Sequence, residues 1–173
     1  KYSTSDRPRY VLGSLGPGTK LPTLGHTTYE HLKNAYELAA QGLIDGGCDG
    51  LLIETAQDLL QAKAAVNGSR AAITKSEKDI YLMAQVTVEA TGTMLLGSEI
   101  GAALTALEPL GIDSIGLNCA TGPTEMSEHL RQLSQQTEIA ITCMPNAITR
   151  FAISCPIKPA PTMPTLLPIN SSP

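Results

Sequence analysis

Short apolar runs alternate with helix-length segments along most of this sequence. The run Leu51–Ile53 is apolar without interruption, which is typical of a parallel strand covered on both faces. Strands are predicted at about residues 10–15, 51–53, 80–88, 114–117 and 139–142, and helices at about 27–44, 59–72, 99–110 and 124–136. This alternation predicts an α/β fold on a parallel sheet with right-handed crossovers, either a barrel or an open doubly wound sheet.

Two possible capping boxes mark the starts of the first two helices. Thr27 with Glu30 predicts the first start, and Thr55 with Asp58 predicts the second. The pair Gly46-Gly47 predicts the end of the first helix, because glycine readily adopts the left-handed conformation that closes a helix.

Length and charge limit the classes of protein to consider. An eight-stranded (β/α)8 barrel needs about 250 residues, so 173 residues make one small domain or part of a larger one. A net charge of -4 with only 12 Lys and Arg disfavours nucleic acid or an anionic membrane as the main partner. The sequence has no long apolar run, no signal core and no initiating Met, so we expect a cytoplasmic protein whose sequence begins within a longer chain.

Polar residues follow the predicted strands at the edge where catalytic groups of parallel α/β folds collect. Glu54 ends the second strand, Asn118 and Cys119 end the fourth, and Asn146 follows the fifth. A lone carboxylate such as Glu54 could equally cap a helix or stay solvated. Backbone N–H groups of a nearby helix start would favour a thiolate at Cys119, and since no His ends a strand, a metal ligand is a better interpretation than a nucleophile.

The other thiols in the folded region have a simpler interpretation. Cys48 lies next to a glycine pair and Cys143 lies within an apolar strand, so both are predicted to be small packed side chains.

Four segments, taken in order, resemble the homocysteine S-methyltransferase family of barrels. They are residues 12–17 (LGSLGP), 50–55 (GLLIET), 116–123 (GLNCATGP) and 145–147 (PNA). Residues 20–25 (KLPTLG) resemble the cobalamin-dependent methionine-synthase branch of that family. The resemblance covers residues 9–147 and implies an incomplete (β/α)8 TIM-type barrel, about strands 3 to 7, between an irregular segment 1–8 and a Pro-rich tail 148–173.

The resemblance also implies a chemistry and a set of site residues. Cys119 would be the first of three cysteine ligands to a catalytic zinc, Glu54 would hold the amino group of homocysteine, and Asn118 would bind the substrate. Asn146 would also bind the substrate and lie near enough to the zinc to be an exchangeable ligand. The implied reaction moves a methyl group from methylcobalamin, and ultimately from 5-methyltetrahydrofolate, to the homocysteine thiol, with cobalamin- and folate-binding modules elsewhere in the parent enzyme.

The sequence departs from the family pattern in two places. The family's other two zinc ligands are adjacent cysteines, and this chain has no Cys-Cys pair. From Ile148 the sequence becomes Pro-rich, so we expect an irregular or disordered tail. Our hypothesis is that a shifted reading frame or a mis-assembled gene produced this tail. The alternatives are an inactive barrel fragment, a homocysteine S-methyltransferase with another methyl donor, or an unrelated α/β barrel in which Cys119 is merely packed.

Overall fold

Strands and helices alternate through residues 3–144, the part of the chain that the computed structural model describes. The strands form one parallel five-stranded sheet in the sequential order β1-β2-β3-β4-β5. Their bounds are β1 Leu12–Leu15, β2 Gly50–Ala56, β3 Tyr81–Val86, β4 Ser114–Asn118 and β5 Ala140–Met144. The helices are α1 Tyr29–Asp45, α2 Leu59–Ser76, α3 Ile100–Leu107 and α4 Pro123–Gln136, with short 3-10 helices at Pro22–Leu24 and Glu108–Leu110.

All four helices pack on the same face of the sheet. Sequential strand order with right-handed crossovers places them there, and α1 contacts α2, α2 contacts α3, and α3 contacts α4. The main apolar core lies between this helical layer and the sheet. The strand residues that point into it include Leu15, Leu51, Ile53, Leu82, Ala84, Val86, Ile115, Leu117, Ile141 and Cys143.

Side chains alternate along a strand, so the positions between these core residues point to the opposite face. That face, which we call the polar face, carries apolar Leu52 and Met83 but also a set of polar residues. The polar ones include Ser14, Glu54, Gln85, Asn118 and Thr142. A sheet face that carries a carboxylate and two amides is where a polar ligand or a further layer of the protein could be accommodated.

The α/β prediction and all five predicted strands are confirmed, but both predicted capping boxes are wrong. Helix α1 begins one residue later than expected, with the Thr28 side chain accepting a hydrogen bond from the backbone N–H of His31 at 3.2 Å. Helix α2 is capped by Asp58, whose carboxylate accepts from the backbone N–H of Leu60 at 2.8 Å. Thr55 cannot cap this helix because it still belongs to β2.

The glycine pair after α1 behaves as predicted. Gly46 caps the helix and Gly47 adopts a left-handed φ of 84°. Across residues 3–144, no helix is both long and apolar enough to span a bilayer. The predicted boundary at residues 8 and 9 stays a prediction, and the boundary at 147 and 148 lies outside the described residues, as does the predicted irregular tail.

Two aspartates hold strands together at the amino edge of the sheet. The Asp49 carboxylate accepts from the backbone N–H of Val11 at 2.6 Å, and the Asp113 carboxylate accepts from the backbone N–H of Leu82 at 2.7 Å. Both residues line a cavity of about 290 Å³ at this edge. Because their carboxylates are engaged by neighbouring strands, they act as structural links between strands.

Helices α1 and α2 approach each other closely at Gly68. A Cβ at this position would overlap the carbonyl oxygen of Lys33 and lie 2.8 Å from the backbone nitrogen of Glu37. Only glycine fits here without moving the α1 backbone.

Gly68→Ala is therefore expected to lower the free energy of unfolding by at least about 2 kcal/mol, since overpacking against backbone cannot be relieved by a rotamer change. Urea unfolding followed by circular dichroism measures this. The matched control is Gly42→Ala in α1, where a Cβ meets nothing within 4 Å, and where Ala should be neutral or stabilising by up to about 1 kcal/mol. Equal stabilities for the two variants would contradict the packing described.

Candidate functional site

Glu54 lies at the carboxyl edge of the sheet and points to the polar face. It is half-buried near the end of β2, and its carboxylate accepts a hydrogen bond from the Ser14 hydroxyl of β1. The strand continues two residues past Glu54, so the carboxylate does not cap α2, whose cap is Asp58. The helix-cap alternative for Glu54 is thereby excluded.

Thr55 follows Glu54 with an unusual backbone. Its φ is 57°, in the left-handed region that β-branched residues rarely adopt. The strand pairing between β2 and β3 also shifts register between Ile53 and Ala56. Such irregularities re-aim side chains at the end of a strand, and this one surrounds the carboxylate of Glu54.

Asn118, at the end of β4, is bonded to Thr55. Its Oδ1 accepts from the backbone N–H of Thr55 at 2.9 Å, and its Nδ2 donates to the Thr55 hydroxyl at 2.7 Å. The Thr87 hydroxyl donates to the Asn118 carbonyl at 3.1 Å. The prediction that Asn118 binds the substrate stays a prediction; its amide here holds together the ends of two strands.

Cys119 comes next and is half-buried at the carboxyl edge, as predicted. Cys119 and Ala120 have φ values of 64° and 53°, and the backbone N–H of Thr121 donates to the Cys119 carbonyl at 2.6 Å. Helix α4 begins at Pro123, after the N-cap Gly122. Cys119 therefore lies in a tight turn between the end of β4 and the start of α4.

The remaining described thiols are packed, as predicted. Cys48 is 8% exposed and Cys143 is 2% exposed, with the Cys143 Sγ lying 3.5 Å from the Sδ of Met126. Burial raises the pKa of both thiols, which reduces their thiolate fraction at neutral pH.

We expect iodoacetamide to alkylate half-buried Cys119 faster than Cys48 or Cys143, because burial shields those two thiols from the reagent and raises their pKa, which lowers the fraction of the reactive thiolate. Peptide mapping by mass spectrometry after timed alkylation measures the three rates separately. Labelling of Cys143 as fast as Cys119 would show that the core around β5 is open.

Sequence reasoning missed a second polar contact across the polar face. Gln85 of β3 is 1% exposed, and its Nε2 donates to the Thr142 hydroxyl of β5 at 3.1 Å. It reaches across Gly116 of β4, which is in register with both residues and has no side chain to block the path. The signal in the sequence was an amide at an alternating position of an otherwise apolar strand.

The contacts across the polar face join strands that are not neighbours. Asn118 on β4 bonds Thr55 on β2, and Gln85 on β3 bonds Thr142 on β5. In a flat sheet, alternate strands lie about 10 Å apart, too far for an Asn side chain to reach another strand's backbone. The sheet ends therefore curve toward the polar face, as the strands of a barrel do.

The loop after β1 is held against the helical layer at the same edge. The Tyr36 hydroxyl donates to the carbonyls of Gly16 at 3.0 Å and Pro17 at 3.1 Å, and burial raises the pKa of Tyr36 to about 12. The Gln61 side chain also donates to the Pro17 carbonyl. The loop therefore borders the carboxyl edge of the sheet beside Ser14.

The described residues do not form a zinc site by themselves. Within residues 3–144, no group of three or more His, Cys, Asp or Glu side chains could hold a metal ion. Cys119 offers one thiol, whereas a structural or catalytic zinc needs at least three protein ligands. Asn146, the other predicted residue near the metal, lies outside the described residues.

The fold and the site together define the class of this protein. It is a parallel α/β protein with a half-buried carboxylate and a half-buried thiol at the carboxyl edge of its sheet. The family model described as homocysteine S-methyltransferase matches residues 1–160. The chain therefore belongs to the homocysteine S-methyltransferase family.

Curated relatives agree with this assignment, and a solved structure agrees with the fold. The chain is 68% identical over 147 residues to methionine synthase of Mycobacterium tuberculosis and 65% identical over 147 residues to that of Mycobacterium leprae. Each alignment covers 85% of the chain, which spans only 12% of the length of either relative. A homocysteine methyltransferase of Escherichia coli in its apo form superposes with a TM-score of 0.65 at 19% identity, covering 80% of this chain and 49% of that one.

Proposed function

We propose that this chain is a segment of a methionine synthase, in which it forms part of the site that presents homocysteine for methylation. The complete enzyme, meaning the longer protein of which this is a segment, would transfer a methyl group from methylcobalamin, and ultimately from 5-methyltetrahydrofolate, to the homocysteine thiol. High identity to the two mycobacterial methionine synthases supports this reaction and donor. A cytoplasmic location and cobalamin- and folate-binding modules elsewhere in the enzyme belong to the same proposal.

The sheet is proposed to be an arc of a (β/α)8 barrel, about strands 3 to 7. An arc is supported by the sequential strand order and by the helices on one face of the sheet. It is also supported by the contacts between alternate strands, which require a curved sheet. In such barrels alternate strands contribute to the same interior layer, which is the pattern of the Asn118 and Gln85 contacts. The polar face would then be the barrel interior.

One observation carries the proposed function. The residue after Glu54 and the residue before Cys119 are bonded to each other, so the Asn118–Thr55 contact links the chain segment that carries the carboxylate to the chain segment that carries the thiol. Homocysteine carries an ammonium group at one end and a thiol at the other. A carboxylate suits the ammonium group, because a charge-assisted hydrogen bond fixes both affinity and orientation.

Cys119 is proposed to be one of several zinc ligands, with the others supplied from outside the described residues. A solved structure of the Escherichia coli homocysteine methyltransferase in a metallated form supports a metal in the family. When bound, zinc would favour the deprotonated form of the substrate thiol. The chain's own contribution would be Cys119 and Glu54 at the same carboxyl edge of the sheet.

The test is methyl transfer from labelled methylcobalamin to homocysteine, measured as labelled methionine. The complete enzyme should form labelled methionine, and the 173-residue chain alone should form none, because its described residues offer one thiol at the carboxyl edge and no group of three metal ligands. No transfer by the folded complete enzyme would overturn the proposed function. Transfer by the isolated chain would overturn the proposal that the site needs residues from elsewhere.

A further inference from the structure

One side-chain amide connects the two ends of the proposed homocysteine site. Asn118 is 6% exposed, and each end of its carboxamide bonds Thr55, through the backbone N–H at 2.9 Å and the hydroxyl at 2.7 Å. The orientation of the amide is fixed, since a backbone N–H can only donate and so must face Oδ1. Asn118 is buried and Thr55 is half-buried in this contact.

The backbone on both sides of this pair is strained. Thr55 has a φ of 57°, and Cys119, the residue after Asn118, has a φ of 64°. Such conformations are unfavourable and persist only where surrounding contacts hold them, most often at functional sites. Thr87 holds the Asn118 carbonyl from the side of β3, so three strand ends fix this geometry together.

We propose that the Asn118–Thr55 pair is a positioning element that sets how the Glu54 carboxylate lies relative to the Cys119 thiol. Glu54 directly precedes Thr55 in the chain, and Cys119 directly follows Asn118. The pair therefore determines the separation between Glu54 and Cys119, the two residues that would meet the two ends of homocysteine. Asn118 is therefore a positioning residue that acts through Glu54. This inference rests on the proposed function.

A positioning role and a merely structural role predict different binding data. If Asn118 acts through Glu54, Asn118→Ala should weaken homocysteine binding about tenfold, because displacing an orienting group reduces its contribution. Binding of 4-mercaptobutanoate, which lacks the amino group, should weaken much less than that of homocysteine. Loss of Asn118 should also add nothing once Glu54 is already Gln, since residues that act as a unit are non-additive.

Matched variants separate the pair from general destabilisation. Thr55→Val removes the hydroxyl while keeping the shape, and Thr55→Ser keeps the hydroxyl, so only the first should weaken homocysteine binding. Asp113→Ala removes a comparable bond from a side chain to the backbone, that to Leu82, at the opposite edge of the sheet. It should lower stability without changing the affinity for homocysteine.

The experiment is isothermal titration calorimetry of the complete enzyme with homocysteine and with 4-mercaptobutanoate. The proteins compared are the wild type, Asn118→Ala, Glu54→Gln, the double variant of these two, the two Thr55 variants and Asp113→Ala. If Asn118→Ala does not fold, the two Thr55 variants decide the question alone. No homocysteine binding by the wild type would overturn the proposed function itself. Normal binding by the wild type, with Thr55→Val binding as tightly as Thr55→Ser or with additive effects of Asn118 and Glu54, would overturn the positioning role alone.

Discussion

Gly116→Ala is expected to prevent the sheet from forming at β4 and β5. A Cβ on Gly116 would overlap the carbonyl oxygen and the hydroxyl oxygen of Thr142 and lie 2.8 Å from the Thr142 carbonyl carbon. It would also block the path by which Gln85 reaches Thr142. The obstacle is backbone of a paired strand, so no side-chain movement relieves it, and the loss should be at least about 3 kcal/mol. Against a domain stability of about 5–15 kcal/mol, that is a large fraction of the total.

Urea unfolding of the 173-residue chain measures this effect. The control is Gly16→Ala in the loop after β1, where a Cβ meets nothing within 4 Å, and it should change the stability by less than about 1 kcal/mol. A Gly116→Ala variant as stable as the control would show that β4 and β5 do not pair in the register described.

Glu54→Gln is expected to weaken homocysteine binding to the complete enzyme by roughly ten- to a hundredfold, because a hydrogen bond to a charged group contributes about 1.5–3 kcal/mol. Glutamine has nearly the same shape and its carbonyl can still accept from the Ser14 hydroxyl. Stability should therefore change little while the attraction for the ammonium group is lost. Calorimetric titration at neutral pH measures the dissociation constant.

Two controls show whether the loss concerns the ammonium group. Glu37→Gln removes a carboxylate that pairs with Lys75 on the helical layer, far from the carboxyl edge, and should leave homocysteine binding unchanged. The analogue 4-mercaptobutanoate should bind the wild type and Glu54→Gln equally well. Equal binding of homocysteine itself to both proteins would remove Glu54 from the site.

The order and class of the elements could be predicted because local periodicity determines them. Continuous apolar runs predicted the parallel strands, and the polar residues that follow them predicted the carboxyl edge with Glu54, Asn118 and Cys119. Helix starts were harder to predict. Thr27 and Thr28 both have side chains that can cap a helix. Which of them is the N-cap depends on backbone angles that the neighbouring residues in the sequence do not reveal.

The contacts that organise the site could not be predicted from the sequence. The sequence predicted Thr55 as a helix cap. In the structure its left-handed backbone is instead held by Asn118, 63 residues later in the chain and two strands away in the sheet. The Gln85 contact depends on the absence of a side chain at Gly116 on the intervening strand. Both contacts require the curvature of the sheet, which is a tertiary property with no local sequence signal.

The central claim is that the carboxyl edge of this sheet belongs to a homocysteine methylation site in which Cys119 takes part. The most direct measurement is the rate of methyl transfer from methylcobalamin to homocysteine by the complete enzyme and by its Cys119→Ser variant, with Cys48→Ser as the control thiol at the amino edge. We predict that Cys119→Ser lowers the rate at least about a hundredfold, because a hydroxyl is a much poorer zinc ligand than a thiolate, while Cys48→Ser retains the wild-type rate. A folded Cys119→Ser enzyme that transfers methyl groups as fast as the wild type would contradict the account.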